Sequence, residues 1–311
     1  MNDIFRGVHT ALITPFTSTG AIDIGAFKRL VEYQIDSGID GLVPCGTTGE
    51  SSTLSHDEHD RVIALTVEYA KGRVPVIAGT GSNATIEAIQ LSQHAEQAGV
   101  DAVLLVNPYY VKPTQKGLYL HFKAIAESVS IPCIVYNIES RTGVNLQNET
   151  LLRLMNEHPN IVGVKEASGS LEQMKNLIGL RREQFVVLCG DDNMTVDLIE
   201  TGGNGVVSVA ANLAPRLMKE MVHSALNRNM KKARELEEKL MPFFRACFVE
   251  TNPIPIKTAM AMKKWCHEAF RLPMCSLADE KNYAVIEKAM KGLDLPEANA
   301  FKVNIIGNDG E

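Results

Sequence analysis

Eight short apolar runs rich in β-branched residues, each followed by a segment with helical patterning, constrain this chain more than any other feature. The runs are VHTALIT, GLVPC, VPVIAG, AVLLVN, CIVYN, IVGVKE, FVVLCG and GVVSV, beginning near residues 8, 41, 74, 102, 133, 161, 185 and 205. Between them lie stretches such as AFKRLVEYQIDSG and TIEAIQLSQHAEQAG, whose apolar residues recur at helical spacing. Strand and helix alternating in this way call for a parallel sheet covered by helices. An open doubly wound sheet has a similar period. The count of eight and the near-continuous hydrophobicity of the runs favour the closed form, an α/β fold of the (β/α)8 TIM-barrel type. Helix punctuation agrees: Ser55 and Glu58 are spaced as a capping box, and Gly38, Gly72 and Gly99 stand where helices should end.

Beyond residue 228 the strand signal stops, and helical stretches follow near 229–249, 255–268 and 281–292. The expected organisation is a barrel over 1–228 that carries the active site, and a C-terminal helical extension over 229–311 packed on it. Thr251-Asn252-Pro253-Ile254-Pro255 reads as a rigid, helix-breaking junction inside that extension. A length of 311 residues suits one such unit, and 45% hydrophobic with 22% charged residues describes a globular chain able to bury a core. The net charge of −6, with Lys231-Lys232 and Lys263-Lys264 as isolated pairs, leaves no electrostatic footprint for nucleic acid. No stretch approaches 18 uncharged apolar residues and the N-terminus has no long apolar segment, so no membrane partner and a cytoplasmic location are expected. The six cysteines are scattered without a CxxC pair, which points to buried free thiols.

Three segments at predicted strand ends carry chemistry. In Ile161-Val162-Gly163-Val164-Lys165-Glu166, alternation places Ile161, Gly163 and Lys165 on one face and the two valines on the other. With the valines toward the helices, Lys165 points into the barrel at the strand's C-terminal end, where barrel enzymes place catalytic groups. Burial there lowers the lysine pKa; the free amine can attack a ketone, and the iminium formed acts as an electron sink. On this hexapeptide alone, a structural lysine paired with Glu166 is an equal alternative. Thr47 and Thr48, framed by glycines after the second strand, offer hydroxyls and amides to a carboxylate, although, taken alone, the segment is better explained as an ordinary polar loop. In Tyr136-Asn137-Ile138-Glu139-Ser140-Arg141-Thr142-Gly143 an inward tyrosine can relay protons and Arg141 presents a planar fork to an anion, with a surface ion pair as the plain alternative.

Other motifs are weaker. Gly79-Thr80-Gly81-Ser82-Asn83-Ala84 matches the outline of a dinucleotide-binding turn, but the acidic residue that should end the next strand is missing, since Asp101 precedes AVLLVN. His56 and His59 lie three apart without the HExxH pattern or a neighbouring His or Cys cluster, so no metal is expected there, while an effector remains open. Gly202-Gly203-Asn204-Gly205 precedes a strand and reads as a tight turn.

The stretches GTTGESSTLSHDEH, VPVIAGTGSNAT, NPYYVKPTQKGLYLHFKAIAE, YNIESRTG, IVGVKEASG and FVETNPIPIK, in this order, resemble the dihydrodipicolinate synthase family over residues 5 to about 295. The resemblance implies condensation of pyruvate with L-aspartate 4-semialdehyde, with Lys165 as the Schiff-base residue and no metal or organic cofactor. It further implies that Thr47, Tyr136 and Tyr110 relay protons, with Tyr110 given across a dimer interface. Thr48 would hold the pyruvate carboxylate, Arg141 the semialdehyde carboxylate, and Gly190 and Val207 would line the pocket. Related aldolases that cleave N-acetylneuraminate or keto-deoxy sugars share the lysine and tyrosine but generally lack the S-R-T-G and NPIPIK patterns, both present here. The resemblance also implies a homotetramer of two tight dimers and feedback inhibition by L-lysine, bound by Ser51, Ser52, His56, His59, Asn83, Glu87 and Tyr109, with Asn83 and Glu87 expected on one helix. Outside the pattern, Glu139 replaces the family's usual proline; its carboxylate, two residues before Arg141, could tilt or partly neutralise the guanidinium. A pyruvate aldolase acting on another aldehyde and a non-catalytic barrel that binds a 2-oxo acid or lysine are the competing readings.

Overall fold

The structure, a computed structural model, describes residues 2–293 and 295. Its eight strands are β1 (Gly7–Ala11), β2 (Gly41–Val43), β3 (Ile77–Gly79), β4 (Ala102–Val106), β5 (Cys133–Asn137), β6 (Ile161–Glu166), β7 (Val186–Cys189) and β8 (Gly205–Ser208). All the pairings are parallel and run in the order β2-β1-β8-β7-β6-β5-β4-β3. The two ends of that order meet through a parallel bridge between Leu42 and Val76 and a hydrogen bond from Gly79 N to Pro44 O (2.9 Å), which closes the barrel. The (β/α)8 TIM barrel expected from the eightfold alternation is therefore the fold, with C-terminal helices following it.

Two apolar layers result from strand alternation. Ala11, Val43, Ile77, Leu104, Ile134, Tyr136, Leu188 and Val207 fill the inside, and Phe5, from a turn of 3-10 helix before β1, packs with them. Val8, Val103, Leu105, Val135, Val164, Val187 and Val206 face the surrounding helices. On β6 the alternation departs from the simple pattern. Cys133 of β5 pairs with Ile161 but Ile134 pairs with Gly163, so Val162 is an extra residue in the ladder. Consequently Ile161 lies in the outer layer and Val162 in the inner one, the reverse of the expectation, while Val164 faces the helices and Lys165 shares the tyrosine-bearing inner face as anticipated.

Helix ends follow local chemistry. Ser55 accepts from Glu58 N (3.2 Å) and Glu58 accepts from Ser55 N (3.0 Å), the capping box that starts the helix His56–Ala70. Gly38, Gly72 and Gly99 all follow helices in the left-handed region. The described cysteines are free, with Cys45, Cys133, Cys189 and Cys247 buried, Cys266 half-buried and Cys275 exposed. After the eighth barrel helix (Pro215–Leu226) come helices Met230–Ala246, Ile254–Met262 and Lys281–Lys291. The second is shorter than its sequence pattern because Lys264 turns left-handed and Trp265 N returns to Met260 O (3.1 Å). Trp265 then packs edge-on against Tyr33 of the helix Ile24–Asp36, with ring centroids 4.9 Å apart. Of the expected barrel and extension, residues 1, 294 and 296–311 lie outside the described residues. No described helix is long and apolar enough to cross a membrane.

Candidate active site

Lys165 is the penultimate residue of β6 and its side chain is buried inside the barrel mouth. Its Nζ lies 4.0 Å from the centre of the Tyr136 ring, donated by the neighbouring β5, where Tyr136 pairs with Lys165 in register. Burial lowers the amine pKa to about 8, opposed by the nearby charges of Asp191 and Asp192 and reinforced by Arg141. Glu166 does not pair with it. That carboxylate faces outward and accepts from Asn137 Nδ2 (3.1 and 3.2 Å), Ser168 N (2.7 Å) and Gln173 Nε2 (3.3 Å), and its burial raises its pKa. A structural Lys165–Glu166 pair is thereby removed, and an amine with no carboxylate partner among the described residues remains at the mouth.

Tyr136 has its hydroxyl pKa raised by burial, with Arg141 and a hydrogen bond from the Thr47 side chain among the opposing influences. Thr47 stands in a 3-10 turn directly after β2. Tyr136, Thr47 and Arg141 line one cavity of about 380 Å³ at the C-terminal ends of β2 to β5. Arg141 is exposed on the short helix Glu139–Thr142, and its Nη2 donates to Asn252 O at 3.3 Å. That contact, rather than one to Glu139, anchors the guanidinium; Glu139 is exposed as the first residue of the short helix. Thr48 is buried and accepts from Asn252 Nδ2 at 3.1 Å. Val207 lies in the inner apolar layer.

Gly190, after β7, explains itself sterically. A Cβ there would stand 2.5 Å from the Ala167 Cβ and 3.2 Å from the Lys165 Cε. Ala167 cannot rotate away, so Gly190→Ala is expected to displace the lysine stem. The measurable consequence is imine formation with pyruvate slowed by about tenfold or more at unchanged secondary structure. Trapping at the native rate would show that the glycine is not needed for the lysine's placement.

The residues singled out as an effector site partly converge. Ser51, Ser52, His56, His59, Glu87 and Tyr109 line the same cavity as Thr47 and Tyr136. Glu87 is held by hydrogen bonds from Ser82 and from His56 Nε2, the latter at 2.9 Å, and these lower its pKa. His59 is buried, with Nε2 2.8 Å from Gly79 O, and desolvation lowers its pKa. Asn83 is not on the helix with Glu87. The helix begins at Thr85, because the Ser82 hydroxyl takes Ala84 N (3.1 Å) and holds the preceding loop open. Asn83 is also not among the residues lining the cavity. Tyr110 is 87% exposed with φ +69°, beside the exposed Tyr109 and Val111, and does not line the cavity of its own chain.

Several site residues escaped local patterns. Glu50, in the left-handed conformation next to the threonine pair, forms a fully buried ion pair with Lys257 (2.5 Å) of the helix Ile254–Met262. Arg271 makes a bidentate pair with Glu58 (2.6 Å to each oxygen), stacks 4.4 Å from the Phe16 ring centre and holds the Glu58 carboxyl at about 2. Asp191 and Asp192 follow Gly190. Burial raises the Asp192 carboxyl to about 6 against hydrogen bonds from Ser208, Ala210 N (2.9 Å) and Val209 N (3.1 Å). An acidic pair directly after a strand and a lone lysine inside the apolar run PIPIKTAM were the available signals.

Fold and site together define an enzyme on a (β/α)8 barrel whose mouth holds a buried amine beside a tyrosine. The model of the Dihydrodipicolinate synthetase family matches residues 4–292. A 4-hydroxy-tetrahydrodipicolinate synthase of Syntrophus aciditrophicus is 54% identical over 276 residues, which cover 89% of this chain and 94% of that one. The dihydrodipicolinate synthase of Acinetobacter baumannii, solved in complex with pyruvate, superposes with a TM-score of 0.90 at 43% identity, covering 92% of this chain and 98% of the other. The enzyme of Cyanidioschyzon merolae, solved with lysine bound, gives a TM-score of 0.90 at 37% identity over 93% and 98%. This chain belongs to the dihydrodipicolinate synthetase family and is a lyase.

Proposed function

We propose that this protein is a 4-hydroxy-tetrahydrodipicolinate synthase, condensing pyruvate with L-aspartate 4-semialdehyde through a Schiff base on Lys165, in the diaminopimelate route to L-lysine. The observation that carries the reading is the buried Lys165 amine, with a pKa of about 8 and its Nζ 4.0 Å over the Tyr136 ring. The amine adds to the ketone of pyruvate, and loss of water leaves the imine; loss of a methyl proton gives the enamine. The enamine carbon bonds to the aldehyde carbon, and the semialdehyde amine then displaces Lys165 by transimination, closing the ring and freeing the lysine. Tyr136 and Thr47, with Tyr110 from a neighbouring subunit, move the protons. Thr48 receives the pyruvate carboxylate and Arg141 that of the semialdehyde, an orientation effect. Gly190 and Val207 shape the pocket, and residues 1–228 carry the chemistry, with 229–311 as a supporting extension.

Two further features belong to this reading. Exposure of Tyr109, Tyr110 and Val111 suits contribution across an interface in a homotetramer of two tight dimers. L-lysine is the feedback inhibitor, bound by Ser51, Ser52, His56, His59, Asn83, Glu87 and Tyr109; Glu87, kept ionised by Ser82 and His56, supplies the charge for an ammonium group. Calorimetry should register lysine binding, and Glu87→Gln should weaken it by about tenfold. No heat and unchanged activity at millimolar lysine would remove the effector assignment.

Borohydride reduction with pyruvate, followed by intact-mass and peptide analysis, tests the whole reading. An adduct on Lys165 is the expected result, and no adduct would dismiss the catalytic reading. A coupled assay comparing the semialdehyde with N-acetylmannosamine as the pyruvate acceptor then separates the synthase from a sugar-acid aldolase.

A further inference from the structure

Asn252 touches both groups assigned to substrate carboxylates, although it lies in the C-terminal extension, more than a hundred residues from Arg141 and two hundred from Thr48. Its Nδ2 donates to Thr48 Oγ1 (3.1 Å) and its backbone oxygen accepts from Arg141 Nη2 (3.3 Å). The residue is only 5% exposed, yet its Oδ1 is buried without a hydrogen-bond partner among the described residues. Buried amides ordinarily satisfy both ends. A side chain that leaves one end unmet in order to reach a threonine hydroxyl is poorly explained by packing alone.

The consequence lies in what a hydroxyl can do. Threonine has one proton to give and two lone pairs to offer. With an amide N–H on one lone pair, the O–H is left to donate, and a donor is what a carboxylate requires. The buried Glu50–Lys257 pair joins the same loop to the same C-terminal segment a few residues away on each side. Arg141, held at one of its five donors by the Asn252 carbonyl, keeps the remaining ones for an anion.

We propose that Asn252 is a positioning residue for the substrate carboxylates: its side-chain amide sets the Thr48 hydroxyl as a donor toward the 2-oxo acid, and its backbone carbonyl anchors Arg141. This rests on the reading of Lys165 and Thr48 as the pyruvate site. Replacing the side chain tests the Thr48 half, since the carbonyl survives substitution.

The experiment is borohydride trapping across a pyruvate series, scoring the half-saturating concentration and the maximal extent for the native enzyme, Asn252→Ala, Asn252→Asp, Thr48→Val and the double variant Thr48→Val with Asn252→Ala. Asn252→Ala should raise half-saturation by about tenfold while the maximal extent on Lys165 is kept. Asn252→Asp should raise it further, because a carboxylate can only accept and draws the hydroxyl proton to itself. The double variant should be no worse than Thr48→Val, since Asn252 acts through that hydroxyl. Half-saturation within twofold of native in Asn252→Ala, or penalties that add in the double variant, would overturn the proposal. Should the alanine variant not fold, the isosteric Asn252→Asp carries the test, and native half-saturation there overturns it equally. A native enzyme that traps no pyruvate would instead bring down the underlying site reading, an outcome visible before any variant is examined.

Discussion

Lys165→Ala should lose all borohydride-trapped pyruvate and lower turnover by roughly a thousandfold or more, because no neighbouring group can substitute for a covalent nucleophile. Lys165→Arg should fare no better: it keeps the positive charge but cannot form an imine, which separates a nucleophilic role from an electrostatic one. The internal control is Lys257, the other buried lysine among the described residues. Its ammonium is engaged by Glu50 at 2.5 Å and lies between the Phe16 and Phe270 rings, at 4.3 and 4.9 Å from their centres. An adduct on Lys257 or on a surface lysine would contradict the assignment.

The pH dependence follows from the same environment. Burial disfavours the ammonium form of Lys165, so its pKa falls to about 8. At pH 7 such a group is roughly one-tenth free amine, against roughly one part in three thousand for an ordinary lysine. The initial rate of imine formation is therefore expected to rise about tenfold per pH unit below about 8 and to level off above it. A rise that continued to pH 10 would show that the amine is not desolvated. Asp191 and Asp192 pull the other way, so removing the Asp191 charge should move the midpoint lower.

What the sequence disclosed and what it withheld divide along contact range. The eightfold strand period, the capping box at Ser55 and the inward direction of Lys165 are local properties, and alternation or cap chemistry is enough to read them. The extra residue at Val162 is not local: it exists only because β5 and β6 pair with a shift, so simple alternation misassigned Ile161 and Val162 while still placing Lys165 correctly beyond the bulge. Asn83 falls outside the helix for a reason periodicity does not reveal: the Ser82 hydroxyl takes Ala84 N in the turn before Thr85. Asn252 and Lys257 read as a rigid junction and an apolar helix. Their partners Thr48 and Glu50 are 204 and 207 residues away, and no pattern within a window of tens of residues reports such a pairing.

That long-range pairing carries the other large expected effect. Lys257 and Glu50 are essentially without solvent, at 0% and 1% side-chain exposure, and Glu50 also accepts from Arg271 N at 3.4 Å. Lys257→Met keeps the stem's volume but leaves a carboxylate buried with its main partner gone, a change expected to cost roughly 3–5 kcal/mol. It should appear as a lower denaturation midpoint. Because Glu50 adjoins Thr47 and Thr48 in a left-handed conformation that the pair stabilises, half-saturating pyruvate should rise as well. Adding Glu50→Gln should restore much of the lost stability, since an amide is far cheaper to bury than an unpaired carboxylate. Pyruvate affinity should recover less, because a Met–Gln contact has no charge-assisted bond to fix the loop. If Lys257→Met instead matched the native midpoint, water would have to reach Glu50, and the C-terminal segment could not be what holds the threonine loop in place.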